Sequence, residues 1–238
     1  FLSHMSHDLR TPINGIMGML AIQEKCQDDM ERQRECREKI HRSAEHLLSL
    51  VNDVLQVSKL DSGGLATVED PFDLHEIMET CIAMLSAQAE EKGIHLELER
   101  APLQHSKVIG NPLHLKQILT NVIDNAIRYN RPDGSVFVQV KEKECQNGTA
   151  AFQFVVEDTG IGIGEDFKKH IFEPFTQEDQ GARTHYSGVG LGMSIVKKLV
   201  DQMKGSIEVE SQAGQGSVVR ITLPLRVNQA WSAPPAEE

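Results

Sequence analysis

A histidine near the start of the chain stands beside groups that could make it a nucleophile. His7 is followed directly by Asp8, and Thr11 lies one helical turn further along. A neutral imidazole nitrogen is a nucleophile, and a carboxylate that accepts the N–H of the other ring nitrogen strengthens it. Thr11 shares the helical face of His7. Pro12 predicts a bend nearby because it removes a helical hydrogen bond. An isolated histidine of this kind is more often an ordinary solvated side chain.

A second group of polar residues lies on one predicted helix. Asn121, Asn125 and Arg128 recur at four- and three-residue steps, on a different face from an apolar stripe. The stripe consists of Leu115, Ile118, Leu119, Val122 and Ala126. Asparagine is a poor helix former, so two of them on one face indicate a function rather than simple solvation.

Glycine-rich segments follow this helix at two places. A predicted strand runs into Asp158, Gly160 and Gly162, where glycine lets the backbone approach a ligand closely. Further along, a segment opens a predicted helix whose free N–H groups and dipole favour an anion. It contains Gly188, Gly190, Leu191 and Gly192. A plain strand-ending turn explains the first pattern, taken alone, equally well.

Three other kinds of nucleotide or kinase site are excluded. A dinucleotide site needs a strand, a glycine-rich turn and a helix with a downstream acid, and that unit is missing. The sequence has no Gly-Lys pair, so it has no phosphate-binding P-loop. It also has no His-Arg-Asp catalytic loop of a Ser/Thr/Tyr protein kinase.

Two long helices must carry His7. Apolar residues recur at three- and four-residue steps over the first sixty positions. Asp28 followed by Glu31 predicts the start of the second helix. A two-helix hairpin is too thin to bury its apolar stripes, so we expect it to pair with a second copy in a dimeric four-helix bundle. The glycines within 61–64 end the second helix, and Thr67–Pro71 is a predicted linker.

The remaining chain mixes helices and strands without strict β-α-β alternation, which favours an α+β sandwich. Predicted helices cover 74–91, 112–129 and 190–204, and predicted strands cover 94–98, 135–141, 151–157, 206–211 and 217–223. We therefore predict a helical domain at 1–61, a linker at 62–70, an α+β domain at 71–226 and a tail or linker at 227–238.

Composition bounds the class of partner. The 238 residues carry a net charge of −11 and only 5% are aromatic, so we expect no nucleic-acid binding. No run of 18 apolar residues occurs, so we expect no membrane contact by this segment, while a longer parent protein is compatible with an anchor. Four scattered cysteines without metal-ligand spacing are typical of idle thiols in a reducing cytosol, and we expect a cytoplasmic location.

In their order along the chain, these segments resemble the five sequence boxes of a sensor histidine kinase. The segment 1–13 resembles the H box, 115–129 the N box, 155–164 the G1 box, 171–175 the F box and 187–193 the G2 box. The family implies a dimerisation and phosphoacceptor domain followed by an ATP-binding domain of the GHKL fold. The F box and the following residues also resemble those of hybrid kinases, which carry a receiver domain after this core.

The resemblance implies a role for each residue of the phosphoacceptor segment. His7 would be the phosphoacceptor and Asp8, in place of the more frequent Glu, its base. Thr11 would position water for removal of the phosphoryl group. The partners implied are a second copy of the chain and a response-regulator receiver domain, and the resemblance also implies phosphatase activity toward that regulator.

The resemblance also implies ATP and Mg²⁺ as cofactors. Asn125 would ligate Mg²⁺ through its side-chain oxygen, with Asn121 lining the same site. Arg128, which replaces a frequent Lys, and Tyr129 would approach the phosphates or the sugar. Asp158 would accept a hydrogen bond from the adenine amino group. The glycines of the two glycine-rich segments, with Leu191, would hold the nucleotide, and 176–186 would be a lid over it.

Two other functions stay open. A GHKL ATPase resembles this fold but carries Glu one helical turn before the magnesium-binding Asn, where this chain has Asn121. A non-catalytic dimeric scaffold is the second alternative, and the presence of the chemical residues in every box counts against it.

Overall fold

A computed structural model describes residues 2–26, 29–61, 69–176 and 190–228, with side chains from residue 9 onward except at positions 46, 49 and 52–61. The chain divides into two compact units, Phe1–Leu65 and Ala66–Glu238. None of the helices in the described ranges combines the length and the hydropathy that crossing a membrane requires.

The first unit is a hairpin of two helices, α1 (Leu2–Lys25) and α2 (Met30–Asp61). The Asp29 carboxylate accepts a hydrogen bond from the Arg32 N–H at 3.0 Å and so caps the start of α2. The predicted start at Asp28 lies outside the described residues, while Glu31 does lie in the first turn of α2. The two helices are in contact at Gly15, where a β-carbon would lie 3.5 Å from Ser43 Oγ.

The hairpin leaves much of its apolar surface uncovered. Cys36 and Leu50 of α2 are buried. Large apolar side chains remain exposed at Ile13, Met17, Leu20, Ile22, Met30, Leu48 and Val51. Exposed apolar side chains of this kind mark a contact surface where they adjoin one another.

The second unit contains four helices and seven strands among the described residues. Its helices are α3 (Leu74–Glu91), α4 (Pro112–Arg128), α5 (Glu165–Lys168) and α6 (Gly192–Gln202). Its strands are β1 (Asp70–Asp73), β2 (His95–Glu99), β3 (Lys107–Gly110), β4 (Ser135–Gln146), β5 (Thr149–Asp158), β6 (Ser206–Gln212) and β7 (Gly216–Val227).

The seven strands form one mixed sheet in the order β1-β3-β7-β5-β4-β2, with β6 on β7. The β2–β4 pair is parallel and the remaining pairs are antiparallel. The strands β1, β2 and β6 lie at the margins of the sheet. This arrangement of helices with a mixed sheet confirms the predicted α+β fold of the second domain and the helical fold of the first.

The core of the second unit lies between the sheet and the helices. Alternate residues of the central strands are buried, including Val136, Val138, Phe152, Phe154, Ile221 and Leu223. These side chains pack against the buried apolar stripe of α4. The stripe consists of the five residues predicted from the sequence together with Ile123 and Ile127. Each large apolar side chain buried in this way contributes roughly 1.5–3 kcal/mol to folding.

The predicted linker is wrong at its end. Asp70 and Pro71 belong to β1 and pair with Gly110 and Ile109 of β3. Proline has no N–H for a sheet, but a marginal strand tolerates it because one edge of that strand needs no partner. Strand β3 and helix α5 were not predicted from the sequence, and the strands predicted at β4 and β7 end earlier than the observed ones.

Candidate functional site

Helix α4 places the two asparagines. Asn111 caps the helix through a hydrogen bond from the His114 N–H at 3.0 Å, and Pro112 occupies its first turn. With the apolar stripe buried, Asn121 and Asn125 are half-buried on a different face. The Asn125 side-chain nitrogen lies 3.9 Å from the position that a β-carbon on Gly192 would take. The structure therefore brings the N-box segment and the second glycine-rich segment together.

The start of α6 is built for an anion. Leu191 is its N-cap residue and provides no side-chain cap, so N–H groups of the first turn are not capped by that side chain. These groups and the helix dipole favour negative charge. Asn125 stands beside this helix start with an amide oxygen of the kind that hard cations prefer. The two features together fit a triphosphate with its metal ion.

The residues before α6 are tied to the end of the F-box segment. The Phe175 N–H donates to the Gly190 carbonyl at 3.0 Å. Gly190 has φ of +70°, and a β-carbon there would lie 2.5 Å from the Thr176 carbonyl oxygen. Only glycine fits this close approach. Gly188 and most of the predicted lid, from 177 to 186, lie outside the described residues.

Asp158 is the last residue of β5, and its carboxylate contacts the backbone of the turn that follows the strand. Its Oδ1 accepts a hydrogen bond from the Gly160 N–H at 2.8 Å. Burial raises the pKa of Asp158, and this is opposed by hydrogen bonds from the Gly160 N–H and from the backbone and hydroxyl of Ser217. A half-buried carboxylate that keeps acceptor capacity suits a ligand with an amino donor.

The turn after Asp158 is packed against two other segments. A β-carbon at Gly160 would lie 2.5 Å from the Tyr129 carbonyl oxygen, and the same carbonyl accepts a hydrogen bond from the Ile161 N–H at 3.0 Å. Gly162 has φ of +67°, and a β-carbon there would meet the Gln212 carbonyl oxygen at 2.0 Å. Tyr129 thus supports the turn with its backbone.

Arg128 is engaged on the side of α4 that faces α3. Its guanidinium pairs with Asp124 at 2.8 Å, and the other Asp124 oxygen accepts from Gln88 of α3 at 2.7 Å. Lys92 donates to the Arg128 carbonyl at 3.4 Å. The approach of Arg128 to phosphate stays a prediction, and it would require the guanidinium to leave or share this ion pair.

Two residues in the loop after α4 belong to the candidate site but were not predicted from the sequence. Asn130 is only 5% exposed and donates to the Ser135 carbonyl at 3.0 Å, while its oxygen accepts from the Thr159 hydroxyl at 3.3 Å. Arg131 donates to three backbone carbonyls, those of Thr159, Gly160 and Gly214. The available signal was a pair of polar residues between the N box and a Pro-Asp-Gly turn.

The phosphoacceptor segment lies within α1. His7, Asp8 and Thr11 are all in this helix, with Pro12 inside it. The side chains of His7 and Asp8 lie outside the described residues, so their interaction stays a prediction. Thr11 is exposed, whereas the neighbouring Pro12 is buried.

Two family descriptions match the chain. Residues 110–227 match the "Histidine kinase-, DNA gyrase B-, and HSP90-like ATPase" family, and residues 1–63 match the "His Kinase A (phospho-acceptor) domain". The matched ranges contain the described site residues on α4, β5 and α6 and the histidine on α1.

Known proteins resemble the chain along nearly its whole length. The signal transduction histidine-protein kinase BarA of Escherichia coli (strain K12) is 36% identical over 228 residues, which are 96% of this chain and 25% of that protein. The autoinducer 2 sensor kinase/phosphatase LuxQ of Vibrio parahaemolyticus is 35% identical over 235 residues, 98% of this chain and 27% of that protein. The chain therefore spans about a quarter of the length of these relatives.

A solved structure is similar to the chain in fold and sequence. Full-length ShkA in complex with AMPPNP is 30% identical, with a TM-score of 0.69, and the similarity covers 95% of this chain and 46% of that one.

Proposed function

This chain belongs to the sensor histidine kinase family, and on that premise we propose that it uses ATP to phosphorylate His7 and passes the phosphoryl group to an aspartate of a response-regulator receiver domain. The chain carries a phosphoacceptor domain and an ATP-binding domain of two-component signalling. Beyond family membership, we assign His7 as the first phosphoryl acceptor and an aspartate of the receiver domain as the second.

The observation that carries the proposal is the meeting of α4 with the start of α6. Asn125 lies beside Gly192, and α6 begins without a side-chain cap. Asn125 would hold Mg²⁺, and the first N–H groups of α6 would bind phosphate oxygens. When bound, Mg²⁺ supplies positive charge against the charge that develops on the transferred phosphoryl group.

Asp158 would select the base. Its carboxylate accepts hydrogen bonds, and adenine presents an amino donor where guanine presents an acceptor oxygen. Half-burial makes a mismatch costly, because an unpaired polar group would be left away from water. This supports ATP rather than GTP as the phosphoryl donor.

His7 would act as the nucleophile. One of its ring nitrogens forms a bond to the γ-phosphorus while the bond between that phosphorus and the oxygen of ADP breaks. Asp8 holds the N–H of the other ring nitrogen and stabilises the positive charge that builds on the ring. In the second transfer, a carboxylate oxygen of the receiver aspartate forms a bond to the phosphorus while the N–P bond breaks, which restores His7.

The residues near Asn125 on α4 favour phosphoryl transfer to His7 over hydrolysis of ATP. An ATPase needs a base that activates water, and Asn121 is an amide at the position one turn before Asn125. Asp124 is the acidic residue of α4, and both its oxygens are occupied by Gln88 and Arg128. With no carboxylate of α4 available as a base, the γ-phosphoryl group would survive until an imidazole attacks it.

We further place the hairpin in a homodimer and assign a phosphatase role to Thr11. The exposed apolar residues of α1 and α2 need a covering surface, and a second copy of the hairpin offers the same surface by symmetry. LuxQ is named a kinase/phosphatase, which supports a second activity at the same helix. The chain would be the cytoplasmic catalytic part of a longer protein.

Incubation with γ-labelled ATP tests the proposal. The unmutated protein, called the parent below, should incorporate label that is lost in acid and kept in base. This behaviour distinguishes phosphohistidine from phosphoserine. His7→Gln should abolish incorporation while leaving ADP binding intact. The matched control is His41→Gln, which removes an exposed histidine paired with Glu45 on α2. Acid-stable label, or undiminished label on His7→Gln, would refute the assignment.

A further inference from the structure

We propose that Arg131 is a positioning residue for nucleotide recognition, which orients the Asp158 carboxylate through the peptide unit that joins Thr159 to Gly160. The inference rests on the proposed function, since it assumes that Asp158 contacts the base. It concerns a residue that none of the five family boxes includes.

The side chain of Arg131 reaches three carbonyl oxygens at once. Its Nε donates to Thr159 at 2.5 Å, and its Nη2 donates to Gly160 at 3.1 Å and to Gly214 at 2.9 Å. Two of these carbonyls belong to the turn after β5, and the third belongs to the hairpin between β6 and β7. A planar guanidinium with several N–H donors can satisfy three converging acceptors, whereas an ammonium group lacks this fixed geometry.

Each carbonyl in the turn shares a rigid peptide plane with an N–H that makes a second contact. The plane that carries the Thr159 carbonyl also carries the Gly160 N–H, which donates to Asp158 Oδ1 at 2.8 Å. The plane that carries the Gly160 carbonyl also carries the Ile161 N–H, which donates to the Tyr129 carbonyl at 3.0 Å. Arg131 therefore holds one end of both planes, and one of them ends on the Asp158 carboxylate.

The positive charge strengthens this connection. A cation at the carbonyl end of a peptide unit polarises it, so the N–H at the other end becomes a better donor. The Gly160 N–H then binds an ionised Asp158 more firmly and fixes the direction of its remaining lone pairs. With a weaker Gly160 contact, Asp158 keeps the hydrogen bonds from Ser217 but is held less firmly, and it loses part of its preference for an amino donor.

The hairpin contact makes the turn rigid from the far side. The Gly214 N–H donates to the Ile161 carbonyl at 2.7 Å, and the Ile163 N–H donates to the Ser211 hydroxyl at 2.8 Å. Arg131 adds the third link between the turn and the hairpin. Its side chain is exposed, so its replacement leaves the buried core intact.

Calorimetric titration of the full chain with ADP and with inosine diphosphate tests the inference. Inosine carries a carbonyl oxygen in place of the adenine amino group, so the ratio of the two affinities reports the Asp158 contact. Arg131→Gln should weaken ADP binding by about tenfold, as expected for lost charged hydrogen bonds, and leave inosine diphosphate within about twofold of the parent. Arg131→Lys should bind ADP with an affinity between that of Arg131→Gln and that of the unmutated protein. Arg100→Gln, which removes an exposed arginine paired with Glu79, is the matched control and should match the parent.

A double variant separates positioning from general support. With Asn at position 158, Arg131→Gln should cause little further loss of ADP affinity, because the residue through which it acts is already changed. Equal weakening of both nucleotides, additive losses in the double variant, or unchanged ADP binding would each overturn the inference. A parent protein that binds ADP without preferring it to inosine diphosphate would refute the Asp158 assignment and the inference with it. If Arg131→Gln fails to fold, as judged by thermal melting, Arg131→Lys carries the same test.

Discussion

The Gly160 N–H donates to the Asp158 carboxylate at 2.8 Å, so the residue assigned to adenine is held by the turn that it opens. The same carboxylate is partly removed from water, and this burial raises its pKa above the usual value of 3.8. Without nucleotide, the ionised Asp158 is thus a cost to folding that a ligand amino group would reduce.

Asp158→Asn should bind ADP roughly 100-fold more weakly, since an amide replaces a charged acceptor. The nucleotide-free variant should nevertheless unfold at a higher temperature than the parent at neutral pH. As pH rises from 3.8 through the raised pKa, the folded parent binds more protons than the unfolded chain, so its free energy of unfolding falls. The Asn variant lacks this loss, and the difference should disappear as pH falls below 3.8. Melting curves of both proteins across pH measure this difference, with Asp166→Asn, at an exposed position of α5, as the control.

Asn125→Ala should lower the rate of self-phosphorylation by on the order of 10²-fold, the effect of removing one group that stabilises the transition state. ADP should still bind, but Mg²⁺ should no longer increase its affinity. Thr120→Ala is the control, because this neighbouring hydroxyl bonds back to the Lys116 carbonyl within α4. Titration with a fluorescent ADP analogue, with and without Mg²⁺, gives both affinities. Retained metal dependence would remove Asn125 from the metal site.

Gly162→Ala should destabilise the second unit far more than Gly148→Ala. Both glycines have positive φ, +67° and +75°, so an alanine at either position costs roughly 1–2 kcal/mol. A β-carbon at position 162 would also lie 2.0 Å from the Gln212 carbonyl oxygen. A β-carbon at position 148 would have no such neighbouring atom within 4 Å. We expect the overlap to add roughly 1–3 kcal/mol. Urea denaturation measures both variants, and equal losses would contradict the close contact at Gly162.

Met17→Glu should dissociate the chain into monomers, with a dimer constant weakened at least roughly 100-fold, because symmetry buries two new charges in one interface. Met17 is 61% exposed in the hairpin. The matched control is Met84→Glu on α3, which is 57% exposed outside the hairpin. Light scattering after size-exclusion chromatography gives the mass of each. A Met17→Glu dimer, or a monomeric parent, would exclude this face as the interface.

Thr11→Ala should keep self-phosphorylation near the parent rate and lose phosphatase activity. Attack by His7 does not need a hydroxyl one turn away, whereas removal of a phosphoryl group from a receiver needs an aligned water. The loss of one positioning group corresponds to about 10²–10³ in rate. Decay of a purified phosphorylated receiver measures it. Thr80→Ala, whose hydroxyl bonds within α3, is the control, and equal decay with Thr11→Ala and the parent would return Thr11 to an ordinary surface role.

The helices and strands whose capping residues, turn residues and apolar pattern all indicate the same structure could be predicted from the sequence. In α4 the cap at Asn111, the proline at 112 and the apolar stripe all indicate one helix, and the structure has it at Pro112–Arg128. The strands β1 and β3 could not be predicted, because each has only four residues and depends on pairing between Asp70 and Gly110. Strand formation of this kind is set by tertiary partners rather than by local preference.

The candidate site was predictable in its parts but not in its connections. The Asp-x-Gly-x-Gly turn and the asparagines of α4 are local patterns that the sequence displays. The contacts of Arg131 are not local, since its acceptors Thr159 and Gly214 lie 28 and 83 residues further along. A sequence shows an arginine in a loop, and only the fold determines which carbonyls converge on it.

The margins of the sheet carry a consequence for how molecules meet in solution. Each marginal strand holds two carboxylates: Asp70 and Asp73 in β1, Glu97 and Glu99 in β2, and Glu208 and Glu210 in β6. Two domains that approached strand to strand would bring like charges together, which opposes fibril-like stacking. Salt screens such repulsion beyond about 8 Å at physiological ionic strength, so it acts at the last step of approach. The acidic margins therefore oppose the joining of sheets between neighbouring ATP-binding units.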